Sequence, residues 1–369
     1  MLCYLEWMSN RTDAAPVRSG RRRRPTLVSP EVHADLTVTF RLRAPEARRV
    51  VFQGDWMYGE APAEMTRDAD GVWSVTLGPL APNGYLYTFV VDGLRIADPL
   101  NPLIKLRSQT SASMVEVRGA EAQLWEPCDV PHGSVDINWV PSKSLGGDPR
   151  WLWVYTPPGY AESGDRRYPV LYLLHGSNDT AGGWVLAGRA NFILDNLIAA
   201  GKAKPMILVM PYGDVIPYGS EPVKALSPKV LERYLLREVL PLAEGKYRVA
   251  PGPENRAIAG LSMGAGQAIH VAFCHLDKFG ALGTFSLVMP DRFDARFASA
   301  MGTPKNVNER LGLVWIGCGS EDPLLEESEE FAALLDACGV QFVRGATEGQ
   351  HTFAAWRRQL AAFLPLLFS

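Results

Sequence analysis

Polar and apolar residues alternate over 36–42, as they do on a strand with one face buried and the other in water. Short apolar stretches follow at 50–52, 72–77 and 85–91, punctuated by the turn pairs and triplets Asp70-Gly71, Pro82-Asn83-Gly84 and Asp92-Gly93. Short strands at this spacing, separated by turn residues, predict an all-β, immunoglobulin-like sandwich over 29–118. Trp73, Tyr85 and Phe89 fall within the strands and are assigned to its core. Pro127, Pro131, Gly133, Gly146, Gly147 and Pro149 then mark 119–150 as linker and domain entry. Beyond 150 the pattern changes. Unbroken apolar runs at 168–174, 256–259 and 313–319 read as buried strands, and helical patterns cover 268–279 and 354–363. This predicts an α/β domain over 151–369.

One motif gives that domain chemistry. Gly260-Leu261-Ser262-Met263-Gly264 lies between a buried strand and the start of a helix. A serine on a sharp strand-to-helix turn is the nucleophile elbow of α/β-hydrolases. A Cβ at Gly260 or Gly264 would collide with the neighbouring strand or helix. A lone serine is a poor nucleophile and needs a base, with a carboxylate to orient that base, in the chain order Ser, Asp or Glu, His. His270, His275 and His351 follow Ser262. The first two lie in the helix leaving the elbow and are assigned to packing or its surface. His351 sits in a Gly-containing loop between an apolar segment and a helix, and is the candidate base. Asp322 follows the 313–319 strand at its tip and is the favoured acid. Glu321 is its adjacent rival, and Asp291 and Asp294 rank lower. An oxyanion hole requires two backbone N–H groups aimed at one point. Met263 supplies one. The strand at 168–174 runs into His175-Gly176-Ser177, so the Ser177 N–H is the choice for the second, with His175 bracing the loop.

Residues 130–369 resemble the feruloyl esterases of carbohydrate esterase family one. The matching stretches are 154–160, 168–176, 189–198, 256–264 and the block 349–357 around His351. The resemblance carries Ser262, Asp322 and His351 onto the family's triad. It implies an acyl-enzyme mechanism acting on hydroxycinnamoyl esters, with feruloylated arabinoxylan or small aromatic esters as partners. Trp184, Phe353 and Trp356 are then candidates to line the acyl pocket. Ala265 stands where many relatives have a further glycine, and the order of aromatics after His351 differs, which bears on substrate preference. Other esters (acetyl-xylan, siderophore or synthetic aromatic), acyl transfer, and a non-catalytic carbohydrate-binding scaffold stay open as alternatives. Segments 40–45, 85–93 and 98–102, with Trp73, resemble family-forty-eight carbohydrate-binding modules. Trp56 and Tyr58, in the loop 54–60, are the candidates for stacking on sugar.

Composition adds bounds. The 369 residues leave room for two domains, and 47% hydrophobic content with a net charge of −3 gives no basic bias toward nucleic acid. Arg21, Arg22, Arg23 and Arg24 form a basic run inside 1–28, which reads as a disordered tail. Five irregularly spaced cysteines suggest neither metal site nor disulfide ladder, with Cys274 and Cys318 read as free core thiols. No metal or organic cofactor is implied. No apolar run has transmembrane length, so no membrane partner is expected. The N-terminus shows no charged, then apolar, then small-residue export signal, although the family's members are usually exported. A misassigned start or a missing leader would account for this. Localisation and oligomeric state stay open.

Overall fold

Alternation in the first third produces two packed antiparallel sheets. In one, Val38–Arg43 lies between Glu31–Val32 and Val72–Leu77, with Thr66–Arg67 at the far edge. The other runs Ala63–Glu64, Val50–Gly54, Asn83–Val91, Ala112–Val117, Ile104–Lys105, with Leu94–Ile96 also beside Asn83–Val91. Their inward side chains interleave as aromatics, Phe40 meeting Phe52 at 4.2 Å and Tyr87 at 4.7 Å between ring centroids. Trp73, Tyr85 and Phe89 are buried there, as their strand positions predict. The computed structural model describes residues 27–147, 149–215, 223–290 and 295–368. Most of the segment read as a tail, the Arg21 to Arg24 run, and Asp291 and Asp294 lie outside the described residues.

The second domain is built on one eight-stranded sheet, numbered here β1 (Ser134–Pro141), β2 (Pro149–Thr156), β3 (Val170–Leu174), β4 (Ile207–Pro211), β5 (Arg256–Leu261), β6 (Ala281–Phe285), β7 (Leu313–Gly319) and β8 (Val343–Thr347). The spatial order is β1-β2-β4-β3-β5-β6-β7-β8, with β2 antiparallel to both neighbours and the strands from β4 to β8 parallel. The central strands β3, β4, β5 and β6 are buried along almost their whole length, because helices cover both faces. These include α1 (Ala190–Ala199), α2 (Met263–Cys274), α3 (Leu325–Cys338) and α4 (Phe353–Phe363).

The segment 119–150 is more than the linker and domain entry its Pro and Gly content suggests. Ser134–Pro141 pairs along its full length with β2 and forms the sheet's edge. Its exposed face keeps Ile137 and Trp139 in solvent, which blurs the alternation. The chain before it is fastened to α1, where Asn196 Nδ2 donates to the carbonyls of Leu124 and Glu126 and the Gly133 N–H donates to Asp195.

The two domains are pinned together by Arg357 on α4, which is only 1% exposed. Its guanidinium donates to the Asn83 side chain at 2.6 Å and the Gly84 carbonyl at 2.9 Å, both in the sandwich, and to the Ala187 carbonyl at 2.8 Å. A buried cation is tolerable only with such partners. A Cβ on Gly84 would stand 2.9 Å from the guanidinium, so a larger residue there would push Arg357 out of this arrangement. The helix that follows His351 is therefore held directly by the sandwich.

Candidate active site

β5 ends at Leu261 and α2 starts at Met263, leaving Ser262 alone on the corner with φ 55° and ψ −121°. That backbone is sparsely populated for a residue with a side chain, and its surroundings hold it. The Ser262 N–H donates to Phe285 O at 2.9 Å, and its carbonyl accepts from Ala265 N at 3.0 Å. The flanking glycines are sterically obligatory. A Cβ on Gly260 would lie 2.4 Å from the Gly264 carbonyl, and one on Gly264 would lie 2.4 Å from the His175 carbonyl.

His351, on the loop between β8 and α4, places Nε2 3.1 Å from Ser262 Oγ. Its Nδ1 is 3.0 Å from both carboxyl oxygens of Asp322, at the C-terminal end of β7. Asp322 is 4% exposed, whereas Glu321 is turned to solvent, so burial separates the two carboxylates that adjacency left as rivals. Burial alone would push the Asp322 carboxyl up. Hydrogen bonds from His351, Ser286 and the Leu324 N–H outweigh it and hold the group below the usual carboxylate range. Trp356 donates its indole N–H to Ser286 Oγ at 2.9 Å and stands edge-on to the His351 ring, bracing both. His270 and His275 instead bind Glu232, at 2.7 and 2.8 Å, consistent with packing roles.

The loop after β3 comes close to the elbow. A Cβ on Gly176 would stand 3.2 Å from Ser262 Cβ, so the backbone there passes next to the nucleophile. His175 is buried behind it. It accepts from Gly213 N at Nε2 and bonds the Gly176 carbonyl through Nδ1, each at 2.8 Å, and burial pulls its pKa down. A neutral, doubly bonded imidazole is a brace, as its place in the loop suggests. Ser177 follows at the pocket surface, and Met263 opens α2, where an N–H has no intrahelical acceptor.

Ser262 and His351 open into a cleft of about 250 Å³. Phe353 and Trp356, the candidates for an acyl pocket, line it. Trp184 does not. It is fully buried, donates its indole N–H to Leu174 O at 2.9 Å, and packs behind Phe353 with ring centroids 5.8 Å apart. The opposite wall comes from the sandwich, as Asp55, Leu86, Lys105 and Arg107. Sequence reasoning missed these four. The one signal was Ile104-Lys105-Leu106-Arg107, where two cations alternate with apolar residues immediately after the sandwich's turn-rich stretch.

Trp56 is also placed differently from its expected sugar-stacking role. Its ring lies over Gly54, where a Cβ would sit 2.4 Å away, and packs on Phe40, Phe52 and Tyr85. Tyr58 alone of the pair is free to stack, being 52% exposed. Trp56→Ala should therefore cost about 2–3 kcal/mol of sandwich stability, and Tyr58→Ala under about 0.5 kcal/mol. Urea unfolding of the two variants checks this, and equal small losses would return Trp56 to the surface.

The sheet order, the elbow and the Ser262, His351 and Asp322 geometry define an α/β-hydrolase preceded by an immunoglobulin-like sandwich. The family model described as putative esterase matches residues 142–367, and the chain belongs to that family. It is 30% identical over 348 residues to an endo-1,4-beta-xylanase/feruloyl esterase of Xylanibacter ruminicola, covering 92% of this chain and 46% of the relative. The chain thus spans about half the length of that curated relative. Among solved structures, a ferulic acid esterase is 28% identical with a TM-score of 0.56, covering 64% of this chain and 98% of that one. The enterobactin esterase of Shigella flexneri, 18% identical with a TM-score of 0.67, covers 90% of this chain and 92% of its own. The latter likeness is one of fold, and it extends over both domains.

Proposed function

We propose that this chain is a serine carboxylic ester hydrolase whose preferred acyl group is a hydroxycinnamate of the feruloyl type. The observation that carries the reading is the continuous chain from Ser262 Oγ through His351 to buried Asp322, set on a strained elbow at the floor of a cleft. His351 takes the Ser262 proton as Oγ attacks the ester carbonyl. The N–H groups of Met263 and Ser177 receive the oxyanion. His351 then protonates the departing alcohol, and water, activated by the same imidazole, releases the acid. Asp322 keeps Nδ1 protonated and Nε2 free to accept, and stabilises the imidazolium.

The acyl preference draws on the ferulic acid esterase similarity and on Phe353 and Trp356, which give the cleft an aromatic wall. A cleft of this size suits one aromatic acid, leaving a sugar such as the arabinose of arabinoxylan on the outer side. Methyl ferulate, methyl caffeate, methyl p-coumarate and methyl acetate share a leaving group and isolate the acyl part. The three cinnamates should exceed methyl acetate in kcat/KM by about tenfold or more, the scale of a filled apolar pocket. A preference for acetate would assign a different acyl class.

A further inference from the structure

One cation on the cleft wall, Arg107, makes no direct hydrogen bond or ion pair among the described residues. Lys105 is buried and pairs with Asp179 at 2.8 Å, and Arg357 has its three acceptors. Arg107 is half-buried, and desolvation pulls its pKa down against the opposing fields of Asp179 and Asp55, yet among the described residues none is hydrogen-bonded or ion-paired to its guanidinium. A guanidinium drawn partly out of water with its N–H donors unmatched is costly, and a bound carboxylate would satisfy those donors. Its surroundings point the same way. Arg107, Asp55 and Leu86 line both the cleft at Ser262 and an adjoining pocket on the sandwich that continues to Arg95. Among the described residues Arg95 bonds neutral groups, Thr88 Oγ1 and Gln53 Oε1, each at 2.8 Å. The other carboxyl there, Asp55, accepts from the Leu86 N–H; burial pushes it up to about 6, so it is still mostly ionised near neutral pH and acts on Arg107 through space without a hydrogen bond to it.

We propose that Arg107 is a specificity-determining residue, supplied by the sandwich to the hydrolase cleft, that binds a carboxylate carried by the ester substrate. Planar, five-donor guanidinium geometry matches a carboxylate by two parallel hydrogen bonds. The sandwich thereby acts as a wall of the active site. This rests on the esterase reading above, and the test separates the two.

Two matched ester pairs locate the carboxylate. Methyl 4-carboxycinnamate against methyl 4-methylcinnamate places it on the acyl side. 3-Carboxypropyl ferulate against butyl ferulate places it on the alcohol side. The wild-type enzyme should favour the charged member of one pair by about tenfold or more in kcat/KM, as for a charge-assisted bidentate contact. Raised salt should shrink the ratio. Arg107→Gln should bring it to within about twofold of unity, and Arg107→Lys should retain part of it. A ratio at or below one in both pairs would overturn the inference and leave the esterase reading standing. So would an Arg107→Gln variant that slows both members equally and keeps the wild-type ratio. No turnover of any of the four esters would remove the esterase reading and this inference with it.

Discussion

Ser262→Ala is expected to lower kcat by about 10⁴–10⁶-fold with no loss of fold, because members of such a triad act as a unit and what survives is binding and oxyanion stabilisation. The substitution removes one oxygen. The backbone bonds that hold the corner, Ser262 N–H to Phe285 O and Ala265 N–H to Ser262 O, do not involve that oxygen. Alanine keeps the same Cβ, so the 55° φ carries no new strain. Circular dichroism and thermal unfolding should match the parent while methyl ferulate turnover falls to background. A variant keeping more than about a tenth of parental kcat would rule out Ser262 as nucleophile, since loss of a triad nucleophile costs far more.

The second large effect separates two neighbouring carboxylates. Asp322→Asn should cost on the order of 10⁴-fold in kcat, because an amide can hold the wrong histidine tautomer and cannot stabilise the imidazolium. Glu321→Gln should cost less than about tenfold, as a solvent-facing bystander outside the triad's roles. The site's electrostatics favour the ionised form of Asp322 well into the acid range. Its pKa is held below the usual value, so the contact with His351 persists until pH falls through that depressed value. The difference between the two variants should therefore be present throughout the weakly acidic to neutral range. A larger loss for Glu321→Gln at any pH there would name the wrong acid.

The elbow was legible in the sequence because its constraints are local. Gly260 and Gly264 face backbone atoms of immediately adjacent elements, and no larger residue fits. His351 and Asp322 were legible because both stand at the C-terminal ends of apolar runs, where loops of a parallel sheet gather. Trp184 misled for a physical reason. It lies ten residues after Leu174, near the loop assigned to oxyanion binding, but its indole N–H is satisfied by Leu174 O beneath the strand. Ser134–Pro141 was hidden because an edge strand with one wet face, bounded by Pro and Gly, lacks the unbroken apolar run of its neighbours. The sandwich's share of the cleft was the least accessible. It depends on Arg357 meeting Asn83 and Gly84, partners 274 and 273 residues away along the chain, and no local pattern encodes that docking.

Covalent labelling with diisopropyl fluorophosphate, followed by peptide mass mapping, tests the central claim most directly. A serine with its Oγ 3.1 Å from an imidazole Nε2 should attack the phosphorus and displace fluoride, giving one adduct per chain on the peptide that contains Ser262. Esterase activity should fall in step with adduct formation, and the Ser262→Ala protein should remain unlabelled. Inactivation with the adduct on another residue, or full activity with Ser262 modified, would contradict the account.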